Sequence, residues 1–126
     1  MQIEYVSTPD APAAIGPYSQ GVKAAGFVYT SGQIALDPAT GNLVDSSFED
    51  QVHRVFKNLE AILRAAGSDF SRVIKATVYV TDLGNFATLN SIYASYFGEH
   101  KPARTTVEVP KLPKGAAVEI DLIALA

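Results

Sequence analysis

The stretch from Pro102 to Asp121 limits what this chain can fold into more than any other, because the residues in its middle forbid regular structure. Pro110, Pro113 and Gly115 set a loop there. On either side the residues alternate with the period of two that marks a β-strand, over roughly 103–109 and 117–125. In the first strand Ala103, Thr105, Val107 and Val109 point one way, and Arg104, Thr106 and Glu108 the other. In the second, Val118, Ile120, Leu122 and Ala124 share one face, and Glu119 and Asp121 share the opposite face with Ile123 and Leu125. Each strand therefore has an apolar face and a second face that is charged at its start. Arg104 and Glu119 are the charged residues to follow.

Before this stretch, Gln2 to Ser7 reads as a short edge strand ended by Pro9 and Pro12. A loop over Ala13–Gln20 follows, with Gly16 and Pro17 setting a turn. Gln20 to Ser31 reads as a hairpin turning at Ala25-Gly26, and Asp37–Asn42 as another turn cluster. A helix is expected from Ser46 or Ser47, each with an acidic residue three positions on. Its apolar face is Phe48, Val52, Val55, Phe56, Leu59, Ile62, Leu63 and Ala66, and Gly67 ends it. Arg72 to Thr81 reads as a strand with Ile74, Ala76, Val78 and Val80 on one side and Lys75, Thr77 and Tyr79 on the other. A second helix is expected from about Asn85 to Phe97, with Phe86, Leu89, Tyr93, Tyr96 and Phe97 inward and Gly98 closing it.

The element order is thus β, ββ, α, β, α, β, β, an α+β domain spanning 1–126 with a five- to six-stranded mixed sheet. Two helices of this length cover only one face of such a sheet. The other face is expected to carry Lys75, Thr77, Tyr79, Arg104, Thr106 and Glu119 among apolar side chains, a patch too large to leave in water. Burial against further copies of the same chain follows as the expectation.

Composition excludes several functions. With no cysteine there is no disulfide scaffold, no thiolate nucleophile and no cysteine-ligated metal. His53 and His100 have no ligand-spaced companions, so no metal site is expected. A formal net charge of −3 disfavours a dedicated nucleic-acid binder. No apolar run is long enough to span a bilayer and the N-terminus lacks a signal-peptide pattern, which makes a cytoplasmic protein the expectation. No phosphate loop, dinucleotide fingerprint or nucleophile elbow is present.

Chemistry must then rest on a few polar residues. A guanidinium clamps a carboxylate with two parallel hydrogen bonds, so Arg104 suits an anionic substrate; an ion pair with Glu119 or Glu108 is the alternative. Glu119, between Val118 and Ile120, sits in a strand expected to be buried. There it must be paired or exchange protons near neutrality. Asp121 reads as structural. Asn90 interrupts the apolar stripe of the second helix and needs partners. Tyr18, Ser31 and Gly32 read as turn or strand-end residues.

The Pro-Ala-Arg opening at Pro102, the Val-Glu-Val and Leu-Pro-Lys steps, and the Val-Glu-Ile at Val118 resemble the C-terminal signature of the Rid (RidA/YjgF) family, as does Gly-Pro-Tyr at Gly16. The likeness runs along nearly the whole chain. It implies a chorismate-mutase-like fold and a homotrimer with sheets facing inward and active sites between subunits. It also implies hydrolysis of reactive 2-imino or 2-enamino acids, released by PLP-dependent threonine and serine dehydratases, to 2-oxo acids and ammonia without a cofactor. By this resemblance Arg104 binds the substrate carboxylate and Glu119 positions or activates water. Tyr18, Ser31, the Gly32 backbone, Asn90 and Thr106 line the pocket. Many relatives carry a cysteine where this chain has Thr106, so a thiol mechanism is excluded. The alternative reading is a non-catalytic trimer that captures a small carboxylate. An RNA-cleaving role fits poorly with the acidic balance and the absence of a His pair.

Overall fold

The computed structural model describes residues 2–126; Met1 lies outside them. The strands are β1 (Ile3–Val6), β2 (Gly21–Ala24), β3 (Phe27–Thr30), β4 (Val73–Val80), β5 (Ala103–Glu108) and β6 (Val118–Leu125), and the helices α1 (Phe48–Ala65) and α2 (Phe86–Phe97). The strands form one sheet in the order β1-β2-β3-β6-β4-β5. All neighbours are antiparallel except β4 and β5. A parallel pair needs a crossover, and α2 supplies it. Among the described residues no helix is long and apolar enough to cross a membrane.

Local chemistry sets the element ends. Ser47 caps α1 by accepting from the Asp50 N–H at 3.0 Å. Gly67, at φ +80°, lets the chain leave α1 while its own N–H and that of Ser68 cap the Arg64 and Leu63 carbonyls. Ala25 and Gly26, both at positive φ, make the tight turn between β2 and β3. The inward face of α1 is as expected, with Val52, Val55, Phe56, Leu59, Ile62 and Leu63 fully buried against the sheet.

Phe56 joins the two helices. It stacks on Tyr96 at 4.5 Å between centroids and meets Phe70, Tyr93 and Phe97 edge-on at 5.8–5.9 Å. Edge-to-face contacts of this kind add to area burial. Here they fix the rotation of α2, and so the direction in which Tyr93 and Asn90 point.

Two expectations about strand faces fail. In β4 a register irregularity falls between Val73 and Lys75, so Val73 is fully buried and Ile74 is 40% exposed. A bulge inserts one residue and so exchanges faces on one side of it. The second failure matters more. β5 was expected to place Arg104 and Thr106 on the open face of the sheet. In the structure Arg104 pairs with Ala76 and Thr106 with Val78, both buried on the helix side. Arg104 and Thr106 therefore lie on the helix side, and Ala103, Thr105 and Val107 on the open side. β5 is an edge strand, where α2 only partly covers the sheet; the half-covered edge accepts polar side chains.

The open face is apolar toward β1, β2 and β3 and polar where Thr77, Thr105, Glu119 and Asp121 lie on β4, β5 and β6. One cross-strand row reads Tyr5, Val22, Tyr29, Ile123, Lys75 and Ala103. A second reads Ile3, Ala24, Phe27 and Leu125. Ile3 and Tyr5 are 60% and 77% exposed within a single chain.

Candidate active site

The polar residues gather in two places on opposite sides of the sheet. The first is centred on Glu119, half-buried at the start of β6. A cleft of about 290 Å³ opens beside it, walled by Ile15, Tyr18, Gly32, Gln33, Pro113 and Lys114. Three pieces of chain converge there because Gln33 bridges to Ile120, with backbone bonds of 2.9 and 3.1 Å that extend the sheet past β3. Gln20 adds to this. Its side-chain amide donates to the carbonyls of Thr8 and Pro12 at 3.0 and 2.8 Å, pinning the loop that carries Tyr18.

Glu119 has its pKa raised, first by burial and second by the nearby negative charge of Asp121. Gly32 makes room for it. A Cβ on Gly32 would fall 2.9 Å from the Glu119 carboxyl carbon, closer than real contacts allow. Since the clash is with the end of a flexible side chain, Gly32→Ala should fold normally, with an unchanged melting temperature, while displacing the carboxylate. Ligand turnover is expected to fall with it. A variant of normal activity would show that the Glu119 position is not critical.

The second place is centred on Arg104. Its Nη1 donates to Asn90 Oδ1 at 2.8 Å. The guanidinium carbon lies 4.8 Å from the Tyr93 ring centroid and 5.5 Å from that of Phe86. Phe86, Asn90 and Tyr93 occupy successive turns on one side of α2, so one helix stripe forms the whole cradle. Aromatic faces and one amide oxygen hold the cation without neutralising it, leaving donors for an external anion. Neither Glu119 nor Glu108 pairs with Arg104; among the described residues the one ion pair is Arg64 with Glu60, at 3.7 Å. The Tyr93 hydroxyl and Thr106 Oγ1 beside it are buried without partners. Burial raises the Tyr93 pKa against the opposing effect of Arg104.

Of the residues expected to act together, Tyr18, Gly32 and Glu119 share the first place and Asn90, Arg104 and Thr106 the second. Ser31 stands next to Gly32, but its hydroxyl donates to the Ser19 carbonyl. Sequence reasoning missed the cradling roles of Phe86 and Tyr93, which it assigned to the core; their spacing of four before and three after Asn90 was the available signal. Lys114 was missed too. It sits at φ +58°, a conformation that favours glycine, on the rim of the Glu119 cleft. Among the described residues no three potential metal ligands come together.

A six-stranded mixed sheet with two helices on one face, and a carboxylate and a caged arginine at its two sides, defines a narrow class of small α+β protein. Residues 8–126 match the family model described as endoribonuclease L-PSP. The chain belongs to that family, the Rid (RidA/YjgF) family. It is 50% identical to a RutC family protein of Pyrococcus horikoshii over 96% of both chains. It is 48% identical to the mouse 2-iminobutanoate/2-iminopropanoate deaminase, covering 95% of this chain and 89% of that one. The structure of Escherichia coli TdcF with bound serine superposes with a TM-score of 0.92 at 43% identity, over 98% of each chain.

Proposed function

We propose that this protein is a cytoplasmic, cofactor-free deaminase that hydrolyses 2-imino and 2-enamino acids left by PLP-dependent threonine and serine dehydratases. The observation that carries the reading is the Arg104 cradle, a cation held by Asn90 and two aromatic rings with donors to spare. It suits a small carboxylate. The deaminase name of the mouse relative supports the reaction, and the serine bound to TdcF supports the size and charge of the ligand.

A single chain keeps Arg104 and Glu119 on opposite faces, so a complete site requires two copies. The exposed apolar rows of the open face supply the reason for copies to meet, and the assembly proposed is a closed trimer in which one copy's Arg104 meets its neighbour's Glu119 at each interface. In that site Arg104 orients the substrate carboxylate. The Tyr18 hydroxyl and the Gly32 backbone face the nitrogen end, with Thr106 packed beside Arg104. Water adds to the carbon of the N-protonated imine and passes a proton to Glu119 as the C–O bond forms. Glu119 returns that proton to the amine nitrogen of the carbinolamine. The C–N bond then breaks and ammonia leaves, while the hydroxyl proton passes to the Glu119 carboxylate, and from it to the departing ammonia, to give the 2-oxo acid.

Two measurements test this reading. Added to a threonine dehydratase reaction, the protein should accelerate 2-oxobutanoate release beyond the spontaneous rate. Binding of 2-oxobutanoate without acceleration would leave a carboxylate-binding protein instead. Sedimentation at micromolar concentration should give one species near three times the chain mass of 13.4 kDa. A stable monomer would contradict the shared site.

A further inference from the structure

Polar side chains enter the core of this chain in few places. Among the described residues five are buried, Gln20, Gln33, Gln51, Asn58 and Ser68. Ser68 holds the far end of β6, where its hydroxyl donates to the Leu125 carbonyl at 2.6 Å. The other four are amides. Gln20 and Gln33 line the Glu119 cleft, and Gln51 and Asn58 bond to segments that wall it. A buried amide costs stability unless its donors and acceptors are met, so four around one cleft mark a place where the backbone needs holding.

Two of the four come from α1. Gln51, Val55, Asn58 and Ile62 stand four, three and four residues apart, one row along the helix. Asn58 Nδ2 donates to the Leu36 carbonyl at 2.9 Å and to that of Ile34 at 3.3 Å, and its Oδ1 accepts from Arg54 Nε at 3.0 Å. Gln51 Oε1 accepts from the Ala117 N–H at 2.9 Å. Ile34 and Leu36 lie beyond the end of β3, and Ala117 lies just before β6. A helix side chain, not a neighbouring strand, therefore meets these backbone groups. Both segments lead directly to Glu119. One continues from Gly32, which packs against the Glu119 carboxyl group, and the other enters β6 two residues before it. We propose that Gln51 and Asn58 are positioning residues, which hold the two walls that aim the Glu119 carboxylate. The catalytic consequence rests on the deaminase reading; the placement of Glu119 does not. An amide that only satisfies the core would change stability and nothing else.

The test compares Gln51→Met, which keeps the length of the side chain and loses the acceptor, with Ile62→Val, a core truncation in the same row of α1. Both should melt below the wild type. In carbon-detected NMR of the full chain, the Glu119 side-chain carboxyl resonance should move in Gln51→Met and stay in place in Ile62→Val. At a temperature where both are folded, Gln51→Met should lose about ten- to a hundredfold in kcat for imine hydrolysis, the cost of a misplacement of about 1 Å. Its KM should change little, because Arg104 still binds the carboxylate. Ile62→Val should keep wild-type kinetics, and Gln51→Glu, which restores the acceptor, should recover most of the loss. Asn58→Asp keeps the bond from Arg54 and withdraws the donor from Ile34 and Leu36. It should move the same resonance and lower kcat likewise, and it carries the test if Gln51→Met does not fold. An unmoved Glu119 resonance, or kinetics that fall no further than those of Ile62→Val, overturns the assignment. If the resonance moves as described and the wild type does not hydrolyse imines, the placement stands and the deaminase reading falls.

Discussion

Arg104→Ala should lower kcat/KM for imine hydrolysis by about a thousandfold, the scale of losing one partner of a hydrogen-bonded charge pair. The reason lies in the cradle. Asn90 takes one guanidinium donor and the rings of Phe86 and Tyr93 hold the plane, so the remaining donors keep a fixed direction toward the ligand. Arg104→Lys should restore little, because an ammonium supplies a point charge without the two-pronged contact. It would also lose much of the planar stacking on Tyr93. Steady-state kinetics of both variants, with sedimentation to confirm assembly, decide the matter. Near-normal turnover by the Lys variant would reduce Arg104 to a simple counter-charge.

Glu119→Gln should lower turnover by roughly a hundred- to ten-thousandfold, as expected for losing a general acid–base group, while leaving assembly and ligand binding intact. Within one chain Glu119 does not neutralise Arg104, since the two lie on opposite faces of the sheet. The amide keeps the shape beside Gly32 and removes a negative charge near Asp121, so the variant should fold at least as well as the parent. If instead Glu119 serves as the counter-charge of a neighbouring copy's Arg104, removing it leaves that cation uncompensated and weakens the proposed assembly. Calorimetric titration with 2-oxobutanoate separates the outcomes. Binding retained with turnover lost supports the proton-transfer role; lost assembly supports the structural pair.

Much of the architecture is legible in the residues. The apolar stripe of α1, the Ser47 cap, the Ala25-Gly26 turn and the alternation of β6 each dictate one element, and a five- to six-stranded mixed sheet with helices on one face follows from their order; the structure has six strands. Two features are not legible, for related reasons. Alternation separates two faces without saying which one meets the helices. β6 is decided by four strongly apolar residues, whereas β5 offers Ala103, Thr105 and Val107 against Arg104, Thr106 and Glu108, a choice that hydrophobicity alone resolves the wrong way. The apolar set of β5 lies with the open face and its apolar rows. The irregularity in β4 is likewise silent in the sequence, because Val73 and Ile74 are equally suited to a core. At the site, Arg104, Glu119 and Asn90 stand out as polar residues in apolar settings. Phe86 and Tyr93 do not, because an aromatic on a helix stripe reads as packing.

The separation of Arg104 from Glu119 within one chain is the centre of this account, and mixing two inactive variants tests it most directly. Arg104→Ala and Glu119→Gln chains, unfolded together at equal concentration and refolded, should form mixed assemblies if the chain trimerises as proposed. If each site takes Arg104 from one copy and Glu119 from its neighbour, about one site in four receives both intact residues by chance. The mixture should therefore recover about a quarter of wild-type turnover, although each variant refolded alone stays inactive. A mixture no more active than its components would show that both residues serve the same site from the same chain, and would contradict the account.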